Sequence, residues 1–554
     1  MSADTSSSAS SSKLDRKVQD NNSFDVQERA IEYKPRSKYT AWLTKFNRST
    51  RHAGEDGEDF DAVPESNRRI GPVSAVFLIV NRMVGTGVFA TPASIVGACN
   101  GSIGLALILW VIGSLIAFAG LAVYLEFATS LPRSGGEKNY LEFFYRKPLY
   151  LITCVYAAYA ALLGWPSGNS VYAGTLLLNA GNLEATRWRE RGIGVGVVLF
   201  ALLIHGVLPK WGLRLQNVLG IFKVGVLLFI IITGFVALGG HVPGGAPNPS
   251  NFTNAFDGAG SIDASNFVNA LYSVIWAFIG YSNIFYALSE VRNPIRTAKL
   301  AAPLALGIVA ILYLLVNIAF FAAVPKDRIL DSNRLLAAEF FGIMFGDRAN
   351  RAVSVLIALS AIGNSLSVLF SQGRINQELG RSGTLPFSKF FGSNKPFNTP
   401  FAGLALQAAV TLIIMLAPPG GDIYGFLLNT ISYPLNIFNV LVSFALIVIT
   451  LRRKHYEWSP PIKATLPVTI FFFCANVFLV IVPMIKPAPG SEPYSDLPYY
   501  LHVVVGFGIL GLGALYWLVW AQILPRIGGY KLVRVHELGP DGLTREVFSR
   551  EKIE

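Results

Sequence analysis

Of the 554 residues, 52% are hydrophobic and only 14% charged, and the formal net charge is +12 at pH 7. That balance excludes an ordinary soluble globular domain. Apolar runs of ~20 residues recur along most of the chain, each long enough to cross ~30 Å of hydrocarbon as a helix, so a lipid bilayer is the expected solvent.

In chain order, residues 1–70 are polar, open on a Ser-rich run and carry the acidic patch Glu55-Asp56-Gly57-Glu58-Asp59. They are expected to form a disordered cytosolic tail without a secretory signal. Either this tail is regulatory, through phosphorylated serines or ubiquitin ligase adaptors acting on lysines such as Lys13 or Lys17, or it is a solvated segment without a fixed partner. About twelve apolar spans follow, the first near 72–97 and the last near 499–523. Their length, and the lack of alternation between lipid-facing and lumen-facing residues, predicts helices and not barrel strands. The chain then divides into 71–238 (spans 1 to 5), an extracellular loop at 239–266, 267–450 (spans 6 to 10), 451–524 (spans 11 and 12) and a cytosolic C-terminal tail at 525–554.

Lys and Arg fall in alternate connections: Arg133, Lys138, Arg146 and Lys147 after span 2, Lys210 and Arg214 after span 4, Arg292, Arg296 and Lys299 after span 6, with further groups after spans 8 and 10. Cytosolic loops carry such an excess, so both termini are expected in the cytosol, and the basic charge marks one membrane side and not a nucleic acid partner. The loop 239–266 has no Lys or Arg and contains the sequon Asn251-Phe252-Thr253 on the expected outer face, a pattern short enough to arise by chance. Cys99, Cys154 and Cys474 are scattered in or beside apolar spans, and His205 and His502 have no carboxylate or cysteine at ligand spacing. No disulfide framework, metal site or cofactor is expected from them.

The first span is interrupted by Gly85-Thr86-Gly87, with Arg82 just before and Pro92 just beyond. Hydrocarbon offers no water to a free backbone group, so a broken helix must be buried in protein or line a polar cavity. Glycine costs ~1 kcal/mol relative to alanine inside a helix and leaves the peptide groups bare. Freed amides at the start of the second half-helix attract an anion such as a carboxylate, while freed carbonyls ending the first half accept from an ammonium. Close helix packing uses the same small residues, and this motif alone does not separate the two readings. A second weak point, Ser273 to Asn283 around Gly280 in span 6, tips the balance. Interruptions at matching places in two halves mark an inverted-repeat transporter with a midplane site. The expected fold is therefore an all-α membrane protein of about twelve transmembrane helices, with spans 1 to 5 and 6 to 10 as a 5+5 inverted repeat and spans 1 and 6 broken.

Met83 to Phe89, followed by Thr91-Pro92, resembles the first-helix signature of the amino acid–polyamine–organocation transporters, whose fold is LeuT-like. Pro132 to Glu137 after span 2 is similar to their loop motif, and Arg374 to Pro386 to the loop after their eighth span. The likeness runs from about Gly71 to Ala521 and within that superfamily looks most like the fungal high-affinity methionine permeases, a branch related to the L-type amino acid transporters. The resemblance implies that a substrate carboxylate meets Thr86 and Gly87, at the break that Gly85 opens, and that its ammonium meets carbonyls of Met83, Trp276 and Ile279, beside Gly280. Helix-end dipoles favour the same pairing. Trp276 either covers the ligand as a gate or packs a helix interface.

Lys223 is a charge deep in span 5, costly there and by default functional. The resemblance sets it between spans 1 and 8 and implicates it in proton coupling. An ammonium taken out of water holds its proton less tightly, which favours proton-driven uptake; a fixed structural ammonium is the alternative. Arg82 departs from the family pattern, where a small or apolar residue is usual. It either pairs with Glu290, or with Glu126, to steady an inner gate, or snorkels to the cytosolic surface. Asn364 and Ser365 in span 8 either line the pocket or join helices.

The function these readings imply is a plasma-membrane carrier, and not an enzyme, moving neutral L-amino acids, methionine foremost, by alternating access with protons. An exchanger of broader neutral specificity and a non-transporting nutrient receptor with the carrier fold are the alternatives. A neutral substrate side chain follows from a pocket short of acidic groups; methionine follows from the resemblance alone.

Overall fold

Where the sequence is continuously apolar the chain is helical, and where Gly or Pro interrupts it the helices break. The computed structural model describes residues 70–554 except 133, 243–248, 333, 419–422, 488, 490–491, 495–496, 539–543 and 553–554, and omits the side chains of 213, 287, 289, 290, 423, 534, 536–538 and 544–547. The tail expected at 1–70, with Lys13 and Lys17, lies outside the described residues apart from Ile70.

The first crossing consists of α1 (Pro72–Met83), α2 (Gly87–Ala90) and α3 (Pro92–Ala98). The second is α4 (Ile103–Ser130), joined through the short α5 (Glu137–Phe144) to the third, α6 (Leu151–Leu162) and α7 (Ser167–Ala180). This third crossing is split at Gly164-Trp165-Pro166, where proline lacks an N–H and keeps the preceding residue from helical dihedrals. The fourth and fifth are α8 (Arg187–Val207) and α9 (Pro209–Leu238).

The second half opens with α10 (Ala264–Phe278), which after its break continues as a 3-10 run, Asn283–Glu290. It proceeds through α11 (Pro294–Ala323), the connecting α12 (Leu336–Phe345), α13 (Asp347–Arg381), α14 (Phe401–Leu416) and α15 (Ile423–Leu451). The last two crossings are α16 (Leu466–Ile481) and α17 (Leu501–Trp517).

Among the described residues, ten helical segments are long and apolar enough to cross a bilayer. The two further crossings are shorter: α10 has 15 residues before its break, and α14 has 16, about 24 Å of helix. The twelve crossings are thus those expected, with the first and sixth interrupted. Leu199, Leu203, Ile221 and Ile232 stand exposed on α8 and α9, as a lipid-facing surface requires.

The two broken crossings lie against each other half by half. On one side α1 packs on the 3-10 run, and on the other α2 and α3 pack on α10. Their ends are tied by a parallel bridge between Ile70 and Val291, with the Arg292 amide donating to the Ile70 carbonyl at 2.9 Å.

Two peripheral segments carry structure that the sequence reading did not specify. Within 525–554, β1 (Tyr530–Leu538) pairs antiparallel with β2 (Thr544–Lys552). This hairpin docks through Phe548, whose ring lies 4.8 Å from that of Tyr150 and whose amide donates to the Ser382 carbonyl at 3.2 Å. In the sequon, Asn251 Nδ2 donates to the carbonyls of Phe321 and Val324, both at 2.8 Å. The nitrogen that a glycan needs is therefore committed to holding its loop on the end of α11.

Candidate functional site

Breaking a helix frees carbonyls, and at the first break those of Asn81, Arg82, Met83 and Val84 each receive a donor from another crossing. The Lys223 ammonium of α9 donates to the Asn81 carbonyl at 3.3 Å, the Asn81 Oδ1 at 2.9 Å and the Val84 carbonyl at 2.9 Å. Asn364 Nδ2 of α13 donates to the Arg82 carbonyl at 2.8 Å. The Tyr313 hydroxyl of α11 reaches the Met83 carbonyl at 2.7 Å and the Ala277 carbonyl at 3.1 Å, so one side chain joins both breaks. The first break is thus held open by a cation, an amide and a phenol, and Lys223 sits fully buried among them.

The other side of the same break presents donors. The Thr86 hydroxyl donates to Asn169 Oδ1 at 2.7 Å, the Thr86 amide to the same oxygen at 3.3 Å, and the Tyr424 hydroxyl lies 2.8 Å from the Thr86 hydroxyl. An amide oxygen from α7 therefore occupies donors suited to a carboxylate. Asn169 Nδ2 in turn donates to Asn364 Oδ1 at 3.1 Å, and Ser170 meets Ser365 at 3.0 Å. Gly85 and Gly87 also serve close packing: a Cβ on Gly85 would fall 2.5 Å from Asn364 Nδ2, and one on Gly87 2.6 Å from the Ala277 Cβ.

In the sixth crossing Ile279 leaves the helix at φ −60, ψ 124, its amide turning back to the Trp276 carbonyl at 3.2 Å. Gly280 follows at φ +125, a conformation that favours glycine, and a Cβ there would fall 2.6 Å from the Arg82 Cγ. The sequence therefore needs glycine at this position twice over, for dihedral and for space.

A cavity lies beside this second break, on the α5 side, with Arg82, Glu137, Tyr159, Ile279, Gly280 and Tyr286 in its wall. Of the residues singled out in the sequence, Arg82, Ile279 and Gly280 line it. Met83, Gly85, Thr86, Gly87, Trp276, Asn364 and Ser365 do not; they surround the closed first break. Trp276 lies beside Tyr424, both within 3.7 Å of a Cβ built on Gly168. The Arg334 guanidinium caps the Tyr424 ring at 4.7 Å, and Tyr172, 5.7 Å from that ring, donates its hydroxyl to the Arg334 carbonyl at 2.6 Å. This stack closes the side opposite the cavity.

The expected pairing of Arg82 with Glu126 is not formed. Glu126 accepts from the Trp458 indole at 2.8 Å and the Ala464 amide at 2.6 Å, and lies 3.7 Å from Arg453. It fastens α4 to the connection between α15 and α16, because a buried carboxylate takes whichever donors surround it. The Glu290 side chain lies outside the described residues. Arg82 instead shares its cavity with Glu137, a carboxylate not assigned from the sequence although it ends the Pro132 to Glu137 motif. Glu137 accepts from the Tyr286 hydroxyl at 2.8 Å and the Tyr156 hydroxyl at 3.4 Å. Burial pushes its carboxyl above the usual range, while its own backbone amide and the tyrosyl hydroxyls pull the other way.

The match to a family decides what such a pair of breaks belongs to. Residues 70–509 match the family model described as amino acid permease. The chain belongs to the amino acid permease family. This permease is 51% identical over 506 residues to the high-affinity methionine permease of Saccharomyces cerevisiae, covering 90% of its own chain and 88% of that relative. It is 29% identical over 486 residues, 87% and 88% of the two chains, to the low-affinity methionine permease of the same yeast. With the b(0,+)-type amino acid transporter 1 of Mus musculus the identity is 28% over 475 residues, 83% and 90% of the chains. This permease is thus a multi-pass membrane protein of amino acid transport.

Proposed function

We propose that this permease carries neutral L-amino acids, methionine foremost, into the cell across the plasma membrane by alternating access, driven by protons, with both termini in the cytosol. The observation that carries the reading is the asymmetry about the two breaks. Arg334, Tyr424 and Tyr172 stack over one side, while a cavity holding Arg82 and Glu137 lies on the side of α5. With the basic connections inside, this is a carrier closed to the exterior.

In the outward conformation the substrate carboxylate takes over the Thr86 and Gly87 donors as Asn169 withdraws, and the ammonium meets carbonyls at Ile279 and its neighbours. Opposite helix-end charges then replace water at both ends of the zwitterion. Lys223 supplies the coupling: protonated, it holds the Asn81 and Val84 carbonyls, and on losing its proton it releases them and frees the first break to move. The identity of the substrate as methionine is supported by the names of the two yeast relatives.

Sealed vesicles carrying the protein test this. Labelled methionine should accumulate above the external concentration when the outside is acid, with leucine and cysteine competing and arginine failing to compete. Movement only against a preloaded internal amino acid identifies an exchanger, and binding without movement identifies a receptor.

A further inference from the structure

We propose that the cavity beside the second break is a binding site of its own for the zwitterionic head of an amino acid, with Arg82 receiving the carboxylate and Glu137 the ammonium. The identity of the ligand as an α-amino acid rests on the transport reading above. The location and chemistry of the site rest on the side chains that build it.

Two opposite charges line one cavity without meeting. Among the described residues neither Arg82 nor Glu137 takes part in an ion pair, and the Arg82 guanidinium donates no hydrogen bond to them. Guanidinium has five N–H donors in a planar fork matched to carboxylate, and none of them is taken by a described residue. Glu137 is buried and accepts from tyrosyl hydroxyls and its own backbone amide, but from no cation among the described residues. Unpaired charges in a low-dielectric wall are costly. A ligand that carries both complementary charges relieves the two at once, and no singly charged ligand does. Tyr159 and Tyr281 complete the wall with aromatic faces.

The site is separate from the donors at the first break. Thr86 is turned toward Asn169 and Tyr424 and is absent from the cavity wall. A substrate that leaves the breaks toward the α5 side therefore exchanges backbone dipoles for full side-chain charges before reaching water. This explains why a guanidinium occupies a position next to Gly280 where a small residue would fill less of the passage. The balance of one cation and one anion also suits a substrate with no net charge.

The experiment uses the full-length protein reconstituted in liposomes in one orientation. Efflux is measured over a range of internal labelled methionine and uptake over a range of external methionine. Arg82→Gln and Glu137→Gln should each raise the internal KM about tenfold, as loss of one charge-assisted hydrogen bond predicts, while the external KM changes less than about twofold. Arg82→Lys, which keeps the cation, should recover most of the internal KM. Internal methioninamide, which lacks the carboxylate, should compete less well than methionine in the wild type and equally well in Arg82→Gln. Internal KM values unchanged in both variants overturn the proposal. So does a charge-exchanged Arg82→Glu, Glu137→Arg protein that regains wild-type kinetics, because that outcome makes the pair a gate and not a site. A wild type that moves no methionine sinks the transport reading instead. Labelled methionine binding to the solubilised protein, retained in wild type and lost in Arg82→Gln, then still supports the site, and equal binding by both overturns it.

Discussion

The Nζ of Lys223 lies 2.9 Å from the carbonyl oxygen of Val84, the residue at which the first crossing stops being a helix. The same ammonium holds Asn81 through both its carbonyl and its side chain, so a single charge from α9 satisfies two of the carbonyls left open by the break. Interruption and lysine are two parts of one arrangement, since a break at this depth without a donor would leave carbonyls unpaired in hydrocarbon.

Lys223→Met should therefore fail structurally as well as functionally. Each buried carbonyl left without a donor costs about 1–3 kcal/mol, so the unfolding midpoint of the detergent-solubilised variant should fall and methionine uptake should be lost. Lys223→Arg keeps a cation that does not release its proton. It should recover stability without recovering accumulation driven by a pH gradient. An arginine variant that still concentrates methionine in response to acid outside removes Lys223 from the coupling.

Gly87→Ala tests whether the breaks must touch. Its Cβ would fall 2.6 Å from the Ala277 Cβ and 2.7 Å from the Ala277 Cα, and a backbone neighbour does not swing aside. Overpacking of this kind costs about 1–3 kcal/mol. Uptake should drop to background while the protein still reaches the membrane, and Ala277→Gly in the same chain should restore part of it. Wild-type uptake by the single variant would mean that the two crossings are not held in contact during transport.

The architecture was legible because its causes are local: apolar length gives the crossings, and Gly85, Gly87 and Gly280 mark the breaks. The partners that fill the first break were not, because Asn169, Tyr313 and Tyr424 sit in crossings whose proximity to Gly85 arises only on folding. Gly85 and Gly87 turned out to combine the two uses left open in the sequence, a bare break and close packing. Arg82 was singled out as unusual, yet its environment could not be read, since nothing in the spacing brings Glu137 from a connecting helix to its cavity. The third crossing's break at Pro166 carried a plain signal in Gly164-Trp165-Pro166 that an uninterrupted apolar run concealed.

Arg334 and Tyr424 form the closure on the far side, and loosening it should favour the outward conformation. Arg334→Ala removes the cation from the Tyr424 ring, a contact of about 0.5–2 kcal/mol. A cysteine at Gly168, beside Trp276 and Tyr424, reports the change in a background where Cys474 is replaced by serine. Its labelling by an external, membrane-impermeant maleimide should quicken about threefold to tenfold in the Arg334→Ala protein. Labelling at an unchanged rate would mean that the stack does not set the conformational balance.

Glu126 provides the contrasting case, a buried carboxylate engaged in fastening and not in gating. Its two oxygens receive the Trp458 indole and the Ala464 amide, and Arg453, itself partly exposed, adds a long and screened ion pair. Glu126→Gln turns one acceptor into a donor facing a donor, which costs about 1–3 kcal/mol. The unfolding midpoint should fall, while the KM for methionine, measured on the folded fraction in liposomes, should stay at the wild-type value from either side. Arg453→Gln should destabilise less, because the two hydrogen bonds at the carboxylate survive it. If Glu126→Gln instead unfolds like the wild type but shifts the KM, the carboxylate acts on the transport path, and the gate first expected of it would have to be sought in another conformation.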